Sequence, residues 1–331
     1  MKAVRVTAPT TLEVADVPEP DGEIIVRSRT VGICGTDVKV FKGAIPVAYP
    51  RVMGHEMIGE VVSAPVGSPF GAGDRVLIDP ASSCGHCHLC VRGRGHLCLN
   101  AGLMGREIDG VFAELVSVPA RQLLPVPDSI SATAAGLLQV LGTCVHAQKT
   151  VNPFPGQTAA VIGLGVAGQL MSQILTQRGV TVVGITRSEW KRDLALRLGA
   201  VATAAPDEAV GVLAEVTTGR GPDLVVEAAG TERTLAQSID LAAIGGEVLV
   251  FGTLTGGGEG LPYYQLYFKE LTLHNPRAAL PGDYADGIEL ASSGRLDLEP
   301  IVTHQLGLDD AEEAFQLVHD PSSLKVLMHV G

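Results

Sequence analysis

The stretch Ala159-Ala160-Val161-Ile162-Gly163-Leu164-Gly165-Val166-Ala167-Gly168 constrains the fold of this chain more than any other. An apolar run of strand length leads directly into G-x-G-x-x-G. The residues that follow, Val166 to Arg178, repeat apolar positions at helical spacing. In a chain with 40 glycines the pattern alone would carry little. Its place between a strand and a helix is what gives it meaning. The first glycine permits a tight turn, the second lets a pyrophosphate approach the backbone, and the third lets helix and strand pack closely. Gly163, Gly165, Val166, Ala167 and Gly168 are therefore candidate dinucleotide contacts at a helix N-terminus.

The same alternation continues downstream. Val180 to Ile185 reads as a strand, and Ser188 as the N-cap of a helix ending near Gly199. Asp223 to Glu227 (strand), Thr231 to Ala243 (helix) and Glu247 to Phe251 (strand) follow. Strands alternating with helices predict an α/β fold, a doubly wound parallel sheet with helices on both faces. The first ~145 residues differ. Short alternating stretches such as Ile24-Ile25-Val26 and Asp74-Arg75-Val76-Leu77-Ile78 predict many short strands joined by turns. The tail carries two helix patterns, Asp283 to Ser293 and Asp310 to His319, and a last strand, Lys325 to Val330.

The end of the second strand bears on the nucleotide. A site for NAD places an acid there, about 20 residues after the glycine turn, to bind the ribose 2′-hydroxyl. This chain reads Thr186-Arg187-Ser188, with no acid, and Lys191 and Arg192 lie one helical turn on. Arg187 suits a 2′-phosphate, which a guanidinium binds through charge-assisted hydrogen bonds. NADP(H) is expected over NAD(H), with Thr186, Arg187, Ser188, Lys191 and Arg192 around the ribose.

Four of the 6 cysteines, Cys84, Cys87, Cys90 and Cys98, form C-x2-C-x2-C-x7-C. In a long chain such density points to metal, and four thiolates close a tetrahedral zinc shell. A closed shell predicts a structural ion. The net charge of −12 disfavours nucleic acid and anionic membranes as partners. No apolar run has the ~18 residues of a membrane span. The opening Met1-Lys2-Ala3-Val4-Arg5 has no apolar signal core, so a cytoplasmic location is expected. Cys34-Gly35-Thr36-Asp37 and Gly54-His55-Glu56 each hold a metal-type side chain, but their spacing does not show that they meet.

Taken together, these segments resemble the zinc-containing medium-chain dehydrogenases. Gly54-His55-Glu56 with Gly59-Glu60-Val61-Val62, Cys34-Gly35-Thr36-Asp37, the cysteine lobe and the late glycine fingerprint carry the likeness. Gly73-Asp74-Arg75-Val76, Asp109-Gly110 through Ala113-Glu114, and Val225-Val226-Glu227-Ala228-Ala229-Gly230 extend it over nearly the whole chain. It is nearest the polyol, sugar and threonine dehydrogenase branch. The resemblance implies a GroES-like, mostly β catalytic domain from both chain ends (1–146 and 277–331, zinc lobe at 84–98). A Rossmann cofactor domain (147–276) would be inserted between them, with the active site in the cleft. It also implies a second, catalytic zinc at Cys34 and His55, with Glu56 as ligand or close neighbour and Gln139 at the remaining position. Thr36 matches the hydroxyl that hands on the substrate proton, and Thr143 a residue packing on the nicotinamide. Phe251 and Arg277 join the candidate cofactor contacts, and Phe41 and Met104 the candidate pocket walls.

Two positions depart from the family. Gln139 is neutral where an anion is usual, and Lys39 stands where many members have a histidine. The expected activity is hydride transfer between an alcohol and NADP, in either direction, with two zinc ions per chain and a homodimer or homotetramer. A zinc-stabilised NADPH-binding protein without catalysis is the alternative.

Overall fold

The computed structural model describes residues 1–254, 258 and 260–331. The chain divides into two compact units, Met1–Gly142 with Leu280–Ser293 and Leu298–Gly331, and Thr143–Ala279 with Gly294–Asp297.

The first unit is mostly β. Its larger sheet orders the strands Leu123–Pro125, Arg75–Ile78, Glu56–Ser63, Ile24–Gly32, Lys325–His329 and Val302–Gly307, and Leu115–Val118 also pairs with Ile24–Gly32. A smaller sheet joins Thr11–Asp16, Lys2–Ala8 and Arg51–Val52. The strand Ile24–Gly32 buries alternate residues along its first half, Ile24, Val26, Ser28 and Thr30, as a strand with one covered face must. Ile24 and Val26 join a core with Val4, Val6, Met53, Val76, Phe112 and Phe315. Full burial of each large aliphatic side chain contributes about 1.5–3 kcal/mol. The cysteine lobe is a separate excursion, pinned at its base by the two-stranded pairing of Ala81–Ser82 with Gly102–Leu103.

The second unit is a six-stranded parallel sheet. Its order is Ala202–Ala204, Thr181–Ile185, Thr158–Ile162, Leu224–Glu227, Glu247–Val250 and Thr272–His274. In sequence order within the unit this is 3-2-1-4-5-6, the doubly wound arrangement expected. Every residue of Thr158–Ile162 and Leu224–Glu227 is buried, because helices cover both faces of central strands. The helices Val166–Gln177, Glu189–Arg197 and Glu232–Leu241 lie where the periodicity places them, to within two residues at each end. Ala209–Thr217, whose small and β-branched residues blur the helical period, is a helix the sequence pattern does not announce.

Among the described residues no helix is long and apolar enough to cross a membrane.

Candidate functional site

The glycine turn has the form its sequence predicts. Gly163 sits at φ 93°, a left-handed value that side chains rarely adopt. A Cβ at Gly168 would stand 1.9 Å from the Gly163 carbonyl oxygen, so the helix can approach its strand only with glycine there. A Cβ at Gly165 would meet nothing within 4 Å. That leaves open space at the N-terminus of a 12-residue helix, where unpaired amides and the helix dipole favour an anion.

At the ribose corner the strand Thr181–Ile185 gives way to Thr186, Arg187 and Ser188. Arg187 is exposed. Ser188 does occupy the N-cap of Glu189–Arg197, but its hydroxyl makes no capping bond. Lys191 lies 5.2 Å over the Trp190 ring, and burial lowers its pKa. Arg192 points back along the chain: its Nη1 donates to the carbonyl oxygens of Thr186 (2.9 Å) and Arg187 (3.1 Å). It is thus engaged with backbone. Phe251 is half-buried and its amide donates to the Glu227 carbonyl at 2.9 Å. Thr143 is half-buried and Arg277 exposed. All these residues belong to the parallel-sheet unit.

In the cysteine lobe four sulfur–sulfur separations are given by Cys87–Cys90 (3.5 Å), Cys84–Cys98 (3.5 Å), Cys87–Cys98 (3.9 Å) and Cys84–Cys90 (4.0 Å). Zinc bound at ~2.3 Å to four sulfurs sets tetrahedral edges of about 3.8 Å, so this cage has the size of the ion. The amides of Cys84 and Asn100 each donate to the Cys98 sulfur at 3.3 Å. Backbone donors from His86 and Cys87 lower the Cys84 thiol to about 7, and donors from Cys90 and Leu99 lower Cys87 to about 5. Desolvation, with its thiol neighbours, pushes Cys90 up to about 12. Crowded thiols of such divergent acidity suit an ion that replaces their protons. His86 Nδ1 donates to the Cys84 carbonyl at 2.8 Å, and the four sulfurs need no histidine.

The second cluster is assembled from two distant segments. Cys34 is the N-cap of the helix Gly35–Phe41, which follows the strand Ile24–Gly32. His55 and Glu56 open the strand Glu56–Ser63. Just before them Gly54 turns at φ 90°, against the Phe112 ring, where a Cβ would stand 2.1 Å from a ring carbon. One ligand atom each of Cys34, His55 and Glu56 lies within 4.8 Å of the others.

Two residues that the sequence did not single out hold this cluster. Asp37, 1% exposed, accepts from the Cys34 amide at 2.9 Å and faces His55 Nδ1 at 3.2 Å. That orients the ring and leaves Nε2 for the cluster. Burial works against the imidazolium, but the Asp37 carboxylate and the Cys34 sulfur outweigh it and hold the His55 pKa well above the ordinary value. Lys325, 2% exposed at the start of the last strand, is ion-paired to the Glu56 carboxylate and donates to the Ile33 carbonyl at 3.1 Å. A Cβ at Gly32 would come within 2.7 Å of both members of that pair. Asp37 falls inside a quoted motif, whereas Lys325 carries no local signal.

Gln139 is buried, and its amide nitrogen donates to the Tyr284 hydroxyl at 3.3 Å. Burial and the Asp79 carboxylate raise the Tyr284 pKa well above its ordinary value, so the hydroxyl stays protonated. Burial also lifts Asp79, to about 6. Thr36 and Lys39 are half-buried on the helix Gly35–Phe41. Phe41 and Met104 pack in the core of their unit, Phe41 against Phe315 with ring centroids 5.4 Å apart.

Comparison with known proteins now joins this geometry. Residues 20–128 match the alcohol dehydrogenase GroES-like domain, and residues 166–293 match the zinc-binding dehydrogenase family. The chain is 32% identical over 324 residues to L-threonine 3-dehydrogenase of Pyrococcus horikoshii, covering 94% of this chain and 92% of that protein. It belongs to the zinc-containing alcohol dehydrogenase family.

Solved dehydrogenases agree. The alcohol dehydrogenase TADH of Thermus sp. ATN1 superposes with a TM-score of 0.93 at 29% identity, covering 100% of both chains. A Sinorhizobium meliloti 1021 protein described as a zinc-binding dehydrogenase, and bound to NADP, gives 0.92 at 31% identity over 99% of this chain and 98% of that one. The dehydrogenase described here thus has the GroES-like and parallel-sheet domains of its relatives.

Proposed function

We propose that this dehydrogenase interconverts a secondary alcohol and its carbonyl using NADP(H), with two zinc ions. The observation that carries this reading is the convergence of a thiolate, an imidazole and a carboxylate, Cys34, His55 and Glu56, from separate segments. That donor set suits zinc and leaves the shell open, as catalytic zinc requires. Cys84, Cys87, Cys90 and Cys98 would hold the second, structural ion.

When bound, zinc at the open site supplies Lewis acidity toward the substrate oxygen, and NADP supplies a hydride acceptor. The chain's own residues do the rest. Asp37 fixes the ring of His55. Lys325 holds the Glu56 carboxylate at the edge of the site and cancels its charge, so the protein charge nearest the substrate is the Cys34 thiolate. Gln139, anchored by Tyr284, offers an amide oxygen without adding an anion. A carboxylate at 139 would make the centre one unit more negative, which would weaken the Lewis acidity that zinc would supply there. The Thr36 hydroxyl accepts the substrate proton and passes it to Lys39 or directly to water.

Thr186 and Arg187 at the ribose corner support NADP, for there is no acid to repel a 2′-phosphate. The substrate class favoured is a polyol, sugar or cyclitol-like secondary alcohol; the threonine dehydrogenases among the relatives add β-hydroxy amino acids. A panel of polyols, sugars, inositols, L-threonine and simple alcohols, followed at the NADPH absorbance band, tests the reading. Turnover of at least one class with NADP, abolished by Cys34→Ser, is expected. Binding of NADPH with no turnover of any alcohol or carbonyl would favour a non-catalytic zinc protein.

A further inference from the structure

The turn that joins the second strand of the parallel sheet to its helix lacks the usual support. Ser188 stands at the N-cap of Glu189–Arg197 yet its hydroxyl caps nothing. The turn still leaves the sheet in order, with the Thr186 amide bonded to the Ala204 carbonyl at 3.1 Å. Beyond that point the Thr186 and Arg187 carbonyls are outside the strand ladder. Both are taken by one guanidinium nitrogen, Arg192 Nη1, at 2.9 and 3.1 Å. These are charge-assisted bonds, stronger than neutral ones, and Arg192 is half-buried where they form. The helix that carries Arg192 is itself held from the glycine-turn side. Gln169, fully buried on the helix Val166–Gln177, donates its amide to the Lys191 carbonyl at 2.9 Å.

We propose that Arg192 is a positioning residue for nucleotide choice. It braces the Thr186–Arg187 backbone so that the exposed Arg187 side chain stands over the ribose, and does not bind the 2′-phosphate itself. Two arguments separate this from a simple addition of charge. Both Nη1 hydrogens are taken by backbone oxygens, so a phosphate could reach that nitrogen only by displacing both bonds. The two carbonyls, left free, would present negative ends of dipoles where a phosphate must sit. Arginine is suited to the task because its planar guanidinium holds the two Nη1 hydrogens in one fixed plane, one toward each carbonyl. A lysine ammonium is a point charge on a flexible stem.

This inference rests on the reading of Arg187 as the phosphate contact, and a double-mutant cycle separates the two. NADPH and NADH dissociation constants are measured by fluorescence titration for the parent, Arg187→Ala, Arg192→Met, Arg192→Lys and the Arg187→Ala/Arg192→Met pair. Arg187→Ala is expected to weaken NADPH about tenfold, Arg192→Met at least fivefold and Arg192→Lys at least threefold. NADH should weaken less than each of these. The pair should bind NADPH no more than about twofold worse than Arg187→Ala alone, because Arg192 acts through Arg187. Losses that multiply in the pair would make Arg192 a direct phosphate contact and overturn its positioning role. Full retention of NADPH binding by Arg192→Lys would do the same, since only charge would then matter. Equal losses for NADH and NADPH would make Arg192 a general structural residue. If Arg187→Ala itself leaves NADPH binding unchanged, the NADP reading fails and this inference with it.

Discussion

The cysteine lobe and the Cys34 cluster both gather metal-type donors, and they do so in opposite ways. The lobe draws four like donors from one loop of 15 residues, Cys84 to Cys98, braced by its own backbone amides. The cluster draws three unlike donors from segments 21 residues apart, and relies on two buried charges, Asp37 beside Cys34 and Lys325 from the last strand. A closed set of thiolates needs only local spacing and confers rigidity. An open set needs the whole fold, and its unfilled position is where chemistry can happen.

The largest expected difference between the two is in turnover. Cys34→Ser removes a donor from the open cluster and should lower kcat by about a thousandfold or more, as loss of the metal's Lewis acidity implies. Cys87→Ser in the lobe should leave measurable turnover in freshly prepared protein while lowering Tm. Comparable loss of turnover in both, at equal folded fraction, would erase the distinction.

Lys325 tests how far the cluster depends on its buried surroundings. Lys325→Met strands the Glu56 carboxylate, and breaking a buried pair from one side costs about 3–5 kcal/mol. Urea unfolding should register that loss. A change below about 1 kcal/mol would mean that Glu56 finds another partner, with a metal ion the first candidate.

Acidity should separate the sites next. The raised pKa of His55 means that, without metal, the ring holds a proton through neutral pH, and metal must displace it. As pH falls from about 8 to 6, zinc at the Cys34 cluster should become easier to strip with a chelator. The lobe, a closed set of four sulfur donors, should keep its ion under the same conditions. The metal-free protein gives the matching sign in stability. A raised folded-state pKa contributes stability fully present below ~6.5 that is lost as pH rises through the raised value. Release of both ions together across the pH series would contradict this separation.

The smallest effect is electrostatic tuning. On the proposal that residue 139 stands at the open cluster, Gln139→Glu adds one negative charge to it. It should slow zinc loss to a chelator and raise the apparent pKa of the acidic limb of alcohol oxidation. Gln139→Ala should speed zinc loss. Parent-like zinc retention and pH profiles in both variants would place residue 139 outside the influence of the site.

What the sequence made legible follows the same contrast. The glycine turn, the parallel-sheet alternation and the lobe are local patterns, so residue spacing suffices to find them. The meeting of Cys34 with His55 needs a strand, a helix and a glycine turn at Gly54 to be placed first. Only a family resemblance gave it in advance. Lys325 was illegible because its partner lies 269 positions away. The bonds of Arg192 were illegible because its acceptors are backbone carbonyls, which every residue has and no sequence pattern marks.

Zinc content per chain, measured by atomic emission on purified parent and on Cys34→Ser, bears most directly on the claim of two unlike metal sites. The account predicts two zinc ions in the parent and one in the variant, with the far-ultraviolet circular dichroism unchanged. Two ions retained in a folded Cys34→Ser protein, or a single ion in the parent, would contradict it.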